Sequence, residues 1–418
     1  MKDETLTPQK PINILFTHYG DNWIRGSERC LLDLLRHINR RQFRPIVWCN
    51  SPLMLAEVRA LGITAYLNDF PLLLNWSTPR FNIMAFAALI KKGIQLVNRH
   101  QVQLLHANSA APNQWLNFVA RICRVPLLAH LHSSYQLRDC MSLGLHQVPM
   151  LVGVSQPVLD SLSANGVDTS RCQVIANGID CKRLENQPNV NLRAQLGLRS
   201  NDFLIATTAS LIKRKGVDLI IDATQQLSQQ GVPIHLVVIG DGEERALLER
   251  QIKRLRLSSR VSLLGEQTDV AGLLHNSADV FVSAAHEEVF GLALAEASLI
   301  GLPVVSTPVG ADNLIKHNET GFLVESNNSS ALAEALNILY KNPKLRLFFA
   351  SNGRENIIKN FTIDRYTADF EKLYLNILGE PEMQTSWYRH WQTIRPILIC
   401  LQRLLNLMLR RRNTRVGA

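Results

Sequence analysis

The sequence predicts an α/β protein of two doubly wound domains, and three observations carry that prediction. At 418 residues the chain exceeds the length at which one hydrophobic core keeps growing, so two domains of about 200 residues are expected. Short apolar runs alternate with longer stretches of helical period, the pattern of βαβ units and parallel sheets. A polar stretch poor in strand formers, residues 181–201, interrupts this alternation, which then restarts. Hydrophobic residues make up 46% of the chain, enough for packed cores rather than a disordered coil.

The elements follow in order. In the first half, strands are expected near residues 12–16, 45–49, 103–107, 126–132, 151–155 and 173–176. A helix over 27–38 places Leu31, Leu34, Leu35 and Ile38 on one face. After the break, strands are expected near 203–209, 234–239, 261–264, 280–284 and 303–307. The implied division is a first domain over 1–190 and a second over 191–362. A helix at 363–380 is able to pack on either domain, and a basic tail follows over 381–418. Ligands bind at the carboxyl ends of the strands in such sheets, so a cleft between the domains is the expected site.

Composition excludes several classes. The seven cysteines, Cys30, Cys49, Cys123, Cys140, Cys172, Cys181 and Cys400, are dispersed with no C-x-x-C unit. They predict reduced thiols in a cytosolic chain and no metal site. Acids near the start and no apolar run before Pro11 predict no secretory signal, and no stretch of 18 uncharged apolar residues predicts a membrane span. The net charge of +10 suggests a nucleic-acid footprint until its distribution is read. Seven arginines and no acid lie in 387–418, so the rest of the chain carries only three of those charges and no nucleic-acid partner is expected.

Four loops after strands have the makings of an anion site, where backbone N–H groups and a helix N-terminus converge. In "GDNWIRGSERCLLDLL", Gly26 precedes a helix that Ser27 can cap; taken alone, an ordinary capped loop is the favoured reading over a glycine that lets backbone approach a diphosphate. In "ATTASLIKRKGVDLIIDA", Lys213, Arg214, Lys215 and Gly216 precede an amphipathic helix. Cations at a helix start oppose its dipole, which favours an anion-binding role over a merely solvated run. In "VVIGDGEERALLER", Gly240, Asp241 and Gly242 make a tight turn lacking the third glycine of a dinucleotide fingerprint. In "AAHEEVFGLALAEASLIGLPVVSTPVG", His286, Glu287 and Glu288 form a loop, and a helix from Phe290 on turns Leu292, Ala295 and Leu299 to the sheet. Glu296 lies inside that helix. If both were helical it would sit about 12 Å along the axis from Glu288, too far for a close carboxylate pair but suited to gripping two parts of one elongated ligand.

These stretches together resemble the GT-B glycosyltransferases of family 4, the "glycosyl transferases group 1", which retain anomeric configuration. The pattern Glu288-x7-Glu296 followed by "GLPVVSTPVG" carries the resemblance. "RGSER", "LLAHLH", "VGVS", "ANGID", "LIKRKGVDLI", "VVIGDGEE", "LLGEQTDV" and "TGFLVES" occur in the family's order, over about residues 12–378. The resemblance implies two Rossmann-like domains facing a cleft, with a nucleotide-diphospho-sugar held mainly by the second and an acceptor mainly by the first. It implies that Glu296 hydrogen-bonds the ribose and Glu288 lies beside the transferred sugar, with the amides around Phe290 and Gly291 reaching the phosphates. Lys215 neutralises the leaving diphosphate, Gly26 lets the N-terminal loop approach it, and His132 stands near the reacting sugar. The donor is a UDP- or GDP-linked sugar used as substrate, with no metal and no other cofactor.

The chemistry suits these residue types, because leaving-group departure concentrates negative charge on oxygen and cations with helix N-termini stabilise it. No residue stands out as a nucleophile, and the two glutamates match neither spacing of a glycosidase carboxylate pair. Three positions depart from the family pattern. Ala209, Ser210 and Leu211 replace a Gly-Arg-Leu triplet, with Arg214 or Lys213 available to supply the missing phosphate contact. Arg25 replaces the first of two glycines, and Val289 stands where glycine is common.

Beyond Glu380 the resemblance ends. Ile397, Leu401, Leu404, Leu405 and Met408 share a helical face, and Trp387, Tyr388 and Trp391 have the character of interface anchors. The tail therefore reads as an in-plane amphipathic helix on an anionic membrane; a helix docked on the protein is the alternative. The resulting expectation is a retaining hexosyltransferase at the cytoplasmic face of the cell membrane. It uses a glycan or lipid-linked acceptor in cell-surface polysaccharide or glycolipid synthesis. Two other functions fit the same architecture: a nucleotide-sugar epimerase and a catalytically silent membrane-associated scaffold.

Overall fold

The structure is a computed structural model that describes residues 10–74, 81–311 and 314–380, with the single positions 399 and 402. Among the described residues the chain forms two compact units. One comprises the residues up to Ala176 together with those from Tyr366 on, and the other is Asn177–Arg365. The helix Ile363–Gly379 thus begins in the second unit and continues in the first. The stretch 181–201 lies in the second unit and holds two short helices, Cys181–Glu185 and Leu192–Gln195.

The first unit is built on seven parallel strands: β1 (Ile12–His18), β2 (Phe43–Cys49), β3 (Thr64–Leu67), β4 (Leu104–Asn108), β5 (Leu127–Leu131), β6 (Met150–Gly153) and β7 (Cys172–Val174). Their order is β3-β2-β1-β4-β5-β6-β7. Central strands are buried on both faces, as in "LLHAN" and "LLAHL", where His106, Asn108 and His130 are enclosed together with the apolar residues. Trp48 packs edge to face against Phe70 and Trp115, whose rings are tilted to each other, with ring centroids 4.7–6.0 Å apart. In the helix Gly26–His37 the expected face is buried, with Leu31, Leu34, Leu35 and Ile38 at most 2% exposed.

Six parallel strands build the second unit: β8 (Phe203–Thr208), β9 (Ile234–Ile239), β10 (Val261–Leu263), β11 (Val280–Ser283), β12 (Val304–Ser306) and β13 (Gly321–Leu323). Their order is β10-β9-β8-β11-β12-β13. Each sheet is wound outward in both directions from a central pair, β1 and β4 in one and β8 and β11 in the other. Loops leaving the carboxyl ends of such a pair diverge to opposite faces, which opens a crevice for a ligand there.

Candidate functional site

In the second unit the two loops that diverge at this switch point carry the cations and the acids. β8 runs through Ala209–Ile212 into a single turn, Lys213–Lys215, and Gly216 then reverses the chain into the helix Val217–Gln229. Gly216 has φ +62°, and a Cβ there would lie 2.1 Å from the carbonyl oxygen of Ala284, just past the end of β11. Glycine therefore lets the basic turn rest directly on the acidic loop. The His286 N–H donates to the Arg214 carbonyl at 2.8 Å, and Arg214 Nη1 donates to the Glu287 carbonyl at 3.1 Å. Lys215 Nζ then reaches Glu288 Oε2 directly.

Glu288 is about four-fifths shielded from solvent. Burial works to raise its carboxyl, but the Lys215 ammonium and its hydrogen bond, the Val289 N–H at 3.0 Å and the charge of Arg214 together outweigh that and hold it below the usual carboxylate range. Gly310 packs beneath the same side chain: it has φ +70°, and a Cβ there would come within 2.7 Å of Glu288 Cγ. The closing glycine of "GLPVVSTPVG" thus supports a carboxylate 22 positions earlier.

Glu288 is not helical, so the axial distance from it to Glu296 that a shared helix implies does not apply. The helix starts at Leu292, after Gly291 at φ +74°, rather than at Phe290. Its buried face uses Leu294, Ala295 and Leu299, while Leu292 stays half-buried. Glu296 sits in the middle of this helix with its carboxylate 3.7 Å from Arg183, a pairing the sequence does not announce. Phe290 is buried with its ring against Phe361, so its backbone and that of Gly291 are what face the helix N-terminus. Val289 is not among the described positions with positive φ; the glycine-like conformation of this loop falls on Gly291.

The loop with Gly240 and Gly242 has a structural task. A Cβ at Gly240 would lie 2.0 Å from the Ala209 carbonyl oxygen, and one at Gly242 would lie 2.5 Å from that of Leu211. Leu211 N–H donates to the Asp241 carbonyl at 3.0 Å, and its own carbonyl accepts from Glu244 N–H at 2.9 Å. This turn therefore holds the segment Ala209–Ser210–Leu211 from behind. Ser210 occupies the departing position half-buried, and Lys213 and Arg214 beyond it are exposed.

In the first unit the switch point lies between β1 and β4, whose last residues, His18 and Asn108, are register partners. Gly26 opens its helix as an exposed residue without positive φ, so a special backbone conformation is not its contribution. Ser27 does not cap the helix. The cap position is Arg25, in extended conformation at φ −120°, which any residue tolerates, and its guanidinium lies 3.9 Å from the Trp23 ring centre. Glu28 reaches back instead: its Oε2 accepts the Arg25 N–H at 3.1 Å, and its Oε1 accepts from Ser27 Oγ at 3.1 Å and meets His18 Nε2 at 2.9 Å.

His18 and Asn108 are fully buried, and Glu28 is 3% exposed. Burial tends to raise the Glu28 carboxyl, yet the hydrogen bond and charge of His18 with the amides of Glu28 and Arg25 hold it low. Gly20 closes over the pair, since a Cβ there would lie 2.7 Å from both Glu28 Oε1 and His18 Nε2. His132, just beyond β5, meets Asn108 Oδ1 through Nε2 at 3.0 Å. Burial and then His18 push its imidazole down to about 3, against the opposing pull of Glu28. Sequence reasoning found His132 and missed His18, Glu28, Asn108 and Gly20. Among the described residues no group of three or more His, Cys, Asp or Glu side chains is arranged to hold a metal ion.

The family profile "Glycosyl transferases group 1" matches residues 189–356, which contain the β8–β11 switch point, and "Glycosyltransferase Family 4" matches 24–183, which contain β4 and His132 but begin after β1. The chain belongs to the group 1 glycosyltransferases of the GT-B fold. It is 25% identical over 305 residues to N-acetyl-alpha-D-glucosaminyl L-malate synthase of Bacillus anthracis, covering 70% of this chain and 80% of that one. Identity is 29% over 220 residues with UDP-Gal:alpha-D-GlcNAc-diphosphoundecaprenol alpha-1,3-galactosyltransferase of Escherichia coli, 51% of this glycosyltransferase and 56% of the relative's length. Anabaena HepE, solved in complex with UDP-glucose, superposes with a TM-score of 0.76 at 24% identity over 87% of this chain and 100% of its own, which shows the shared fold. The protein is thus a glycosyltransferase. No helix among the described residues is long and apolar enough to cross a membrane. The basic tail, with Trp387, Tyr388 and Trp391, lies outside the described residues.

Proposed function

We propose that this glycosyltransferase moves a hexosyl group from a UDP- or GDP-linked sugar to a glycan or lipid-linked acceptor with retention of anomeric configuration, in the assembly of a cell-surface polysaccharide or glycolipid. The observation that carries the reading is the joint placement of Lys215 and Glu288 at the switch point between β8 and β11. A lysine has three N–H donors, and one directed at Glu288 leaves two for diphosphate oxygens. In the proposed reaction the bond from the sugar C1 to the diphosphate breaks with its electron pair on the phosphate oxygen. Lys215 and Arg214 neutralise that charge, together with the backbone amides of Phe290 and Gly291. Glu288 lies beside the sugar, Glu296 takes the ribose hydroxyls, and His132 and the loop at Gly26 serve the sugar and diphosphate from the first unit, which also holds the acceptor. The new bond joins C1 to an acceptor oxygen, whose proton passes to the oxygen of the departing diphosphate.

The test is a panel of UDP- and GDP-sugars with lipid-linked glycan acceptors, using wild type and Glu288→Gln, with the product anomer assigned by proton NMR. The expected result is transfer from one donor, an anomer matching that donor's, and strong loss in Glu288→Gln. An inverted product would refute retention; sugar interconversion without acceptor would make the protein an epimerase; no binding of any donor would make it a scaffold. For the tail, the sequence supports peripheral association with an anionic surface, and deleting 387–418 should abolish flotation with anionic liposomes. Unchanged flotation would refute that part alone.

A further inference from the structure

Asn108 joins three partners in the first unit. Its Nδ2 donates to the Ser27 carbonyl at 3.2 Å and lies 2.9 Å from His18 Nδ1, and its Oδ1 lies 3.0 Å from His132 Nε2. The directions of these bonds follow from which groups can only accept. The Ser27 carbonyl has no proton to give, so the amide nitrogen must be the atom on that side. Glu28, held ionised, likewise only accepts, so His18 Nε2 carries the hydrogen between them. The same Nδ2 is turned towards His18 Nδ1, which also lies 3.1 Å from the Asn108 backbone carbonyl. With Nδ2 held by the Ser27 carbonyl, Oδ1 is the atom facing His132; an amide oxygen only accepts, so His132 Nε2 must supply the proton.

We propose that Glu28, His18 and Asn108 form a directed hydrogen-bond chain that fixes the tautomer of His132, with the proton on Nε2 and the lone pair on Nδ1, so that His132 meets the transferred sugar as an acceptor of a hydroxyl hydrogen. This rests on the reading that His132 contacts that sugar. Glu28, His18 and Asn108 are positioning residues, acting through His132. The chain is rigid by construction: His18 and Asn108 are buried at two adjacent strand ends, Glu28 is buried in the first turn of the helix Gly26–His37, and Asn50 holds Gly20 above them through paired hydrogen bonds of 3.0 and 2.9 Å. Without the chain, imidazole would distribute its proton over both nitrogens, and a hydroxyl would meet a donor where it needs an acceptor. Burial of His132 next to His18, with the His130 ring 4.1 Å away, keeps its imidazole uncharged, so the choice of tautomer is the variable left to set.

The experiment is long-range proton–nitrogen NMR on the full chain labelled with 15N-histidine, His132 being assigned by comparison with His132→Gln. Wild type should show a neutral ring protonated at Nε2 from pH 6 to 8, and Asn108→Ala should show a mixture of tautomers. A wild-type His132 protonated at Nδ1, or charged at pH 7, overturns the chain whatever the variant does. In transfer assays Asn108→Ala and His132→Gln should each lower kcat by ~10–100-fold with donor KM little changed, and the double variant should lose no more than either single one. His132→Gln turning over at the wild-type rate would remove the sugar contact while leaving the tautomer result standing, so the two failures are distinguishable.

Discussion

Replacing Gly216 with alanine puts a methyl carbon 2.1 Å from the carbonyl oxygen of Ala284. Carbon–oxygen contacts settle near ~3.3 Å, so the overlap exceeds ~1 Å. The oxygen belongs to the backbone and cannot swing aside, and the alanine must also hold φ near +62°. Left-handed backbone costs an L-residue ~1–2 kcal/mol and overpacking a further ~1–3, so the variant should lose ~2–5 kcal/mol of unfolding free energy. The cheapest relief is for the turn Lys213–Lys215 to lift from the loop beyond β11, which carries Lys215 away from Glu288. A displacement of ~1 Å at such a site is worth ~100-fold in rate. Urea unfolding monitored by circular dichroism gives the first quantity, and single-turnover transfer at saturating donor, below the onset of unfolding, gives the second. A folded Gly216→Ala enzyme with wild-type turnover would refute the argument that this glycine seats Lys215 for transfer.

Gly310→Ala, which must hold φ near +70° and whose Cβ would press on Glu288 Cγ at 2.7 Å, should lower transfer at least ~10-fold while costing ~2–5 kcal/mol, read by the same two assays. Glu296→Ala should raise the donor KM by ~10-fold or more with kcat little changed, as expected for a lost charged hydrogen bond made equally in ground and transition states. Stability should fall on acidification through the buried His106. Burial and His132 push it from the ordinary 6.5 to about 3 in the folded protein, so the unfolded chain binds the proton first and stability is lost as pH drops from 6.5 towards 3. That amounts to ~2 kcal/mol at pH 5 for this one residue, and His106→Gln should narrow the difference in unfolding free energy between pH 7.5 and 5 by that amount.

Strands buried on both faces were legible in the sequence because each is a predominantly apolar run flanked by helical periodicity, as at Ile234–Ile239. β3 and β13 were not. Each is an outermost strand of three or four residues, Thr64–Leu67 and Gly321–Leu323, and two alternations of burial carry no readable period. At the site, Lys215 and Glu288 could be picked out because charge beside a strand end is unusual, and because their order resembled a family's. His18, Glu28 and Asn108 lie 10 to 90 positions apart and meet only through the β1–β4 pairing, so no local spacing betrays them. Glu28 left one faint signal, a glutamate three residues after the helix cap, the position from which a carboxylate can reach back to the cap N–H. The departures at Arg25 and Val289 looked costly on paper, but neither residue has a conformation that requires glycine.

The central claim is that the paired Lys215 and Glu288 form the donor site of a sugar transferase. Its most direct test is single-turnover transfer by Lys215→Met at saturating nucleotide sugar, alongside wild type of equal unfolding free energy. Removing one preorganised stabiliser of the leaving group predicts a loss of ~100–1000-fold in the chemical step. A folded Lys215→Met enzyme that transfers sugar at the wild-type rate would contradict the claim.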